Sequence, residues 1–153
     1  MKVLLAIDGS TYSDAAVEEV ANRLWSEGTE IMVLSVVHII TEWPDPIFYG
    51  VRLMAFEDHR REARRVVDKA TTKLMEKFGS EKLRIIGEIL EGSPKKLIVK
   101  EAANWGADLI IVGSHGRGAI GKALLGSVSS YVGSHAKCSV EVVHLKEEMT
   151  AVA

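Results

Sequence analysis

The sequence of 153 residues has a single cysteine, Cys138, so it can form no internal disulfide and no cysteine-based zinc site. A lone cysteine suits a reducing compartment, and a cytoplasmic protein is expected. Charge of either sign is nearly balanced: the formal net charge is −2 and no polybasic tail is present, which argues against nucleic acid as a partner. No apolar run approaches the length of a membrane span, so no membrane partner is expected. The opening "MKVLLAIDGS" is too short for a signal peptide and runs into Asp8. Catalytic signatures are also missing. There is no Ser-His-Asp pattern, no HExxH, and no acid beside Asp8 to position water. His59, His135 and His144 lack metal-ligand spacing, and His38 reads as a packing or hydrogen-bonding residue.

With 47% apolar and 26% charged residues, the composition is that of a globular chain, of a length that makes one domain. Apolar runs at 2–8, 30–38, 83–90, 108–113 and 139–144 read as strands. The first, second and fourth are apolar nearly throughout, as parallel strands covered on both faces tend to be. Helical periodicity lies between them. Residues 13–27 carry Val17, Val20, Ala21, Leu24 and Trp25 on one stripe, with Gly28 as a stop. Residues 52–78 form a long charged helix whose apolar side is Val66, Val67, Ala70 and Leu74. Ser93-Pro94 opens a helix over 94–105 that stops at Gly106. Residues 123–135 place Leu124, Leu125, Val128 and Val132 at helical spacing. This alternation predicts an α/β domain with a parallel sheet, whose ligands bind beyond the C-terminal strand ends. The segment 39–51 reads as an ordered loop able to fold over such a site. In "HRREARR" (59–65) the arginines fall at i, i+4 spacing, a solvated helix face by default and a binding patch as the alternative.

The glycine-rich "GSHGRGAIGKALLGS" (113–127) can be parsed three ways. Gly116, Gly118 and Gly121 spell the dinucleotide fingerprint GxGxxG. That motif belongs after a first strand and needs a distal acid, whereas Glu141 lies near the start of its own strand and faces away. Gly116, Gly121 and Lys122 spell GxxxxGK, but Ala123 stands where a phosphate-binding loop needs Ser or Thr. The third spacing joins Gly113 and Gly116 to Gly126-Ser127. Here Gly113 ends a strand and lets a ligand approach the backbone, while Gly116 permits a second approach or a positive-φ turn. Gly126-Ser127 opens a helix whose first amides, on Ser127, Val128 and Ser129, suit phosphate, with the two serine hydroxyls as added donors. His115 either touches that phosphate or is an exposed loop residue. Asp8 either caps the following helix or meets a ligand or metal.

"VGSHGRGAIGKALLGSVSSYV", together with "LLAIDGS", "WGADLIIVGSHGR" and "CSVEVVH", resembles the universal stress protein family in its nucleotide-binding branch. The resemblance spans the chain, with a domain over 1–146 and a short tail at 147–153. It implies a three-layer α/β/α domain with a five-stranded parallel sheet of order 3-2-1-4-5, similar to the adenine nucleotide alpha hydrolases. It also implies an ATP site, with AMP or another adenine nucleotide as alternatives. Carried onto this chain, that site comprises Asp8 with Ala6 and Ile7, Val36 beside the adenine, and Val112, Gly113, Gly116, Gly126, Ser127, Val128 and Ser129 around the phosphates. Magnesium would accompany the phosphates, with Asp8 as its protein ligand. Gly118, Gly121 and Gly133 depart from the simplest pattern, the last by weakening its helix.

The resemblance implies a nucleotide-responsive regulatory module that hydrolyses ATP slowly at most. A magnesium-dependent ATPase is the rival reading, and a member working through its dimer surface alone is a third. "SVEVVH" alternates polar and apolar residues as an edge strand does, and the resemblance implies a homodimer through it, with Val140 and Val142 in the contact. Valine at Gly113 or Gly126 is expected to block the nucleotide and leave the fold largely intact.

Overall fold

A computed structural model of the chain describes residues 1–39, 46–118 and 124–146. Gly121, Lys122 and Ala123, the expected tail at 147–153 and part of the expected 39–51 loop lie outside these residues. The elements run β1 (Lys2–Ala6), α1 (Thr11–Asn22), β2 (Glu30–His38), a 3-10 turn (Pro46–Phe48), α2 (Tyr49–Phe78), β3 (Arg84–Gly92), α3 (Pro94–Trp105), β4 (Leu109–Gly113), α4 (Ser127–His135) and β5 (Ser139–Val143). All strands pair in parallel in the order β3-β2-β1-β4-β5.

The apolar continuity of β1, β2 and β4 has a direct cause: both of their faces are covered. Val3, Leu5, Ile31, Val33 and Ile111 face one core with Val17 and Val20 of α1 and Val67 and Leu74 of α2. Leu4, Ala6, Met32, Leu34, Ile110 and Val112 face the other, with Ile98 and Ala102 of α3 and Val132 of α4. Successive strand residues alternate between the two cores, so the buried positions are apolar with Ser35 of β2 as a polar exception. The result is three layers, helix on sheet on helix.

The helix ends differ from the periodic reading where local hydrogen bonds intervene. Ser10 is the N-cap of α1 and accepts from Ser13 N at 3.2 Å. The helix stops at Asn22 because Arg23 turns extended and its guanidinium takes both carboxylate oxygens of Glu141, at 2.5 and 2.9 Å. Leu24 therefore falls outside the helix and is 98% exposed, while Trp25 packs back and donates to Val20 O at 3.0 Å. Gly28 has φ of 78° in a turn beyond the helix, not at its cap. In α3, Ser93 holds the N-cap position without a side-chain bond, and Gly106 at φ 75° closes the helix in left-handed conformation. The last helix begins at Ser127 rather than 123, and Leu124 is 90% exposed. No described helix is long and apolar enough to cross a membrane.

Gly113 is explained by packing. A Cβ there would lie 2.8 Å from both the carbonyl carbon and oxygen of Tyr12, so its bareness admits the backbone of α1 against β4. The expectation that valine at 113 leaves the fold intact is thereby corrected. We predict that Gly113→Ala destabilises the protein by about 1–3 kcal/mol, the usual cost of overpacking. A Cβ at Gly133 of α4 meets open space, so Gly133→Ala should stabilise by up to about 1 kcal/mol. Urea unfolding of both variants beside the parent measures the two signs.

Candidate functional site

At the C-terminal ends of β1, β2 and β4 lies a cavity of about 780 Å³. The sheet order reverses between β1 and β4, and a crevice outside the strand ends is the usual result there. Its apolar floor comes from Ala6, Ile7, Leu34, Val36, Ile98 and Val112. Its rim is Asp8 from the β1–α1 loop, Gly113 and Gly116 after β4, and Gly126, Ser127, Val128 and Ser129 at the start of α4. The structure thus brings every expected site residue to the lining of one cavity, from the ends of β1, β2 and β4 and the start of α4.

The wall after β4 is organised by a residue the motif reading passed over. Ser114 is 1% exposed, and its N–H donates to Val143 O at 2.8 Å. Its carbonyl accepts from Gly126 N at 2.7 Å and from Ser129 Oγ at 2.8 Å, and its hydroxyl lies 3.0 Å from His115 Nδ1. The N-terminus of α4 is thereby anchored to the end of β4. A Cβ on Gly126 would approach His115 Cα to 3.1 Å and Ser114 O to 3.3 Å, so a side chain there would crowd the anchor itself. The only sequence sign of Ser114 was a small polar residue directly after an apolar strand.

One expectation about donors changes. The Ser129 hydroxyl is committed to the Ser114 and Gly126 carbonyls, so it does not face a ligand as a donor. Ser127 is exposed at the first position of α4, and helix amides at such positions have no intrahelical acceptor. Gly126 caps α4 without a side-chain bond, which leaves the positive end of the helix uncovered by its own residues.

Asp8 ties two loops together. Its Oδ1 accepts from Ser10 N at 2.9 Å and its Oδ2 from Arg117 N at 3.0 Å. Capping of α1 falls to Ser10, so Asp8 is a loop bridge at the cavity rim. Gly116 faces this carboxylate: a Cβ there would sit 2.8 Å from Asp8 Oδ2. Its φ is not positive, so its role is close packing rather than a left-handed turn. Among the described residues no group of three or more acids, histidines or cysteines could hold a metal. Asp8 alone makes no metal cage, though one carboxylate plus phosphate oxygens and water is a common magnesium environment.

Other lining residues were read otherwise or not at all. Ser93, Pro94 and Lys95 bring the start of α3 to the cavity, opposite α4. His38 and His115 also line it, and the His115 ring lies 5.0 Å from that of Tyr12. Arg117 lines it too while its Nη2 reaches Glu62 Oε1 on α2 at 3.3 Å. Glu62 is held well below the usual carboxylate range, to about 2, first by hydrogen bonds from Arg65 and further by Arg117. The basic run on α2 is largely paired: Arg60 with Glu91, Arg61 with Asp58 and Arg65 with Glu62. Glu141 faces α1 through its bond to Arg23, away from the cavity.

Known proteins share this fold. The chain is 26% identical over 148 residues to a universal stress protein of Synechocystis sp., covering 93% of this chain and 96% of that one. It is 33% identical over 150 residues to one from Mycobacterium tuberculosis, covering 93% of this chain but 47% of that one, about half its length. Among solved structures, the universal stress protein UspA from Lactobacillus plantarum superposes with a TM-score of 0.79 at 24% identity, covering 94% of this chain and 97% of that one. A family member from Arabidopsis thaliana, solved with AMP bound, gives 0.63 at 23% identity over 99% of this chain and 97% of that one. The model of the universal stress protein family matches residues 1–144, a span that includes β1 with Asp8, the Ser114-anchored loop and β5. With that match over nearly its whole length, the chain belongs to the universal stress protein family.

Proposed function

We propose that this cavity binds an adenine nucleotide, ATP foremost, and that the protein is a nucleotide-responsive regulatory module of the stress response. One observation carries the reading: the apolar floor and the open first turn of α4 meet in a single cavity of about 780 Å³. A base fits such a floor beside Val36, and phosphates fit the amides of Ser127 and Val128. The AMP bound to the Arabidopsis relative supports the choice of adenine. Magnesium would be held chiefly by the phosphates with Asp8 beside them, and it would supply charge neutralisation.

Titration calorimetry with ATP and adenosine tests the site. The variant to compare is Ser127→Pro, because proline suits the first helical position and the extended Gly126 before it, φ −72° and ψ 168°. It removes one amide donor and one hydroxyl while keeping the helix. ATP affinity should fall about tenfold or more, the worth of a hydrogen bond to a charged group, with adenosine little changed. An unaltered ATP affinity would remove the phosphates from α4.

Asp8→Asn separates the metal reading from a scaffold one. With magnesium present, ATP should weaken more than adenosine. Equal losses for both would move Asp8 to a ribose contact or to its structural bridge between Ser10 and Arg117. Phosphate release well above background, abolished by the same substitution, would favour the hydrolase instead.

The homodimer is also proposed, through the outer edge of β5. Val143 O points to β4, where it takes Ser114 N, so the neighbouring Val142 directs its backbone N–H and C=O outward. The Val140 and Val142 side chains pack inward against the core beneath α3 and α4, so the dimer contact at these positions would be made by backbone. An antiparallel copy of β5 would satisfy that edge. Val142→Pro removes an outward N–H that the monomer does not use, so it should fold and sediment as a monomer. A folded variant that remains dimeric places the interface elsewhere.

A further inference from the structure

Arg117 occupies a lane between the cavity and α2. Its backbone N–H is fixed to Asp8 Oδ2 at 3.0 Å, so the residue starts from the rim. Its side chain crosses above Gly9, where a Cβ would lie 2.4 Å from Arg117 Nη2 and 2.9 Å from Val66 Cγ2. Gly9 keeps this lane open, and its φ of 78° disfavours any other residue. At the far end the guanidinium contacts Glu62 Oε1 at 3.3 Å, its one polar side-chain contact among the described residues. That same oxygen already accepts from Arg65 Nη2 at 2.7 Å, while Glu62 Oε2 accepts from Arg65 Nε at 2.9 Å.

Glu62 thus has an Arg65 donor on each oxygen without Arg117, and the Arg117 side chain is 51% exposed. An exposed, single-contact ion pair of this kind is weak and easily exchanged. A phosphate group offers a guanidinium two parallel charge-assisted bonds, a far better partner. We propose that Arg117 is the residue that reads phosphate charge on a ligand in this cavity, and that Glu62 holds its guanidinium in reserve until that charge arrives. The inference rests on the nucleotide reading above and extends it to a specificity-determining residue. It commits the site to favour phosphorylated over unphosphorylated nucleosides through a side chain as well as through the amides of α4.

A double-mutant cycle tests it, with ATP, adenosine and inorganic tripolyphosphate as calorimetric probes. Glu62→Gln should tighten ATP and tripolyphosphate about two- to fivefold, the range an exposed ion pair releases, and leave adenosine unchanged. Arg117→Gln should weaken both phosphate probes and leave adenosine unchanged. In the Arg117→Gln background, Glu62→Gln should have no further effect. A gain that persists in that background would reflect the general field of one lost negative charge and overturns the proposal. So does an unchanged ATP affinity in Glu62→Gln while the parent binds ATP, and in that case the nucleotide reading stands. Tripolyphosphate binding with the expected cycle, but no binding of ATP or adenosine, would overturn the nucleotide reading and keep Arg117 as an anion reader. Failure of the parent to bind any probe overturns both.

Discussion

The candidate site depends on one carbonyl group. Ser114 O, immediately past β4, accepts from Gly126 N and Ser129 Oγ at 2.7 and 2.8 Å. A buried carbonyl with two donors is fully satisfied, and separating it from them would strip it and the Gly126 N–H of these bonds. These bonds return the chain after the 119–123 segment to the strand it left, and they fix where α4 begins. The helix then starts at the cavity with its first-turn amides open toward it. Gly126 stands there because a side chain would press on His115 Cα and on the very carbonyl that holds the helix.

The second constraint is the Asp8 carboxylate, which accepts backbone amides from both loops of the rim. Gly116 leaves room for this carboxylate, and Gly9 leaves room for Arg117. The rim glycines 113, 116 and 126, with Gly9 beside the rim, are therefore spent on letting protein approach protein. That is a different use from letting a ligand approach the backbone, and it has a consequence for binding. A rim already hydrogen-bonded to itself loses little conformational freedom when a ligand arrives, which favours affinity.

The sheet carries a similar division of labour in β5. Its alternation is real, but the polar face is used within the chain, where Glu141 holds Arg23 and ends α1. That pair pushes the arginine's pKa upward, chiefly through the hydrogen bond to Glu141. Val140 and Val142 face the other core. What remains outward is backbone, so any partner along this edge would be recognised by hydrogen-bond geometry more than by apolar side chains.

Sequence alone determined the alternation of strands and helices, because that alternation is written in local patterns. Strands buried on both faces are apolar nearly throughout, and Val3 to Ile7, Ile31 to Leu34 and Leu109 to Val112 are apolar at every position. Pro94 and Gly106 bracket α3, and the spacing of Gly113, Gly116 and Gly126-Ser127 singled out the loop that rims the cavity. Tertiary structure decided what each of those residues is for. The purpose of a glycine is set by the atom facing it, and Tyr12, Asp8 and His115 are distant in sequence from the glycines they face, or separated from them by a loop. The commitment of the Ser129 hydroxyl, the anchoring role of Ser114 and the reach of Arg117 to Glu62 rest on the same kind of contact. Periodicity and motif spacing describe a chain along its own length; these contacts exist only once the sheet has brought distant segments within hydrogen-bond range.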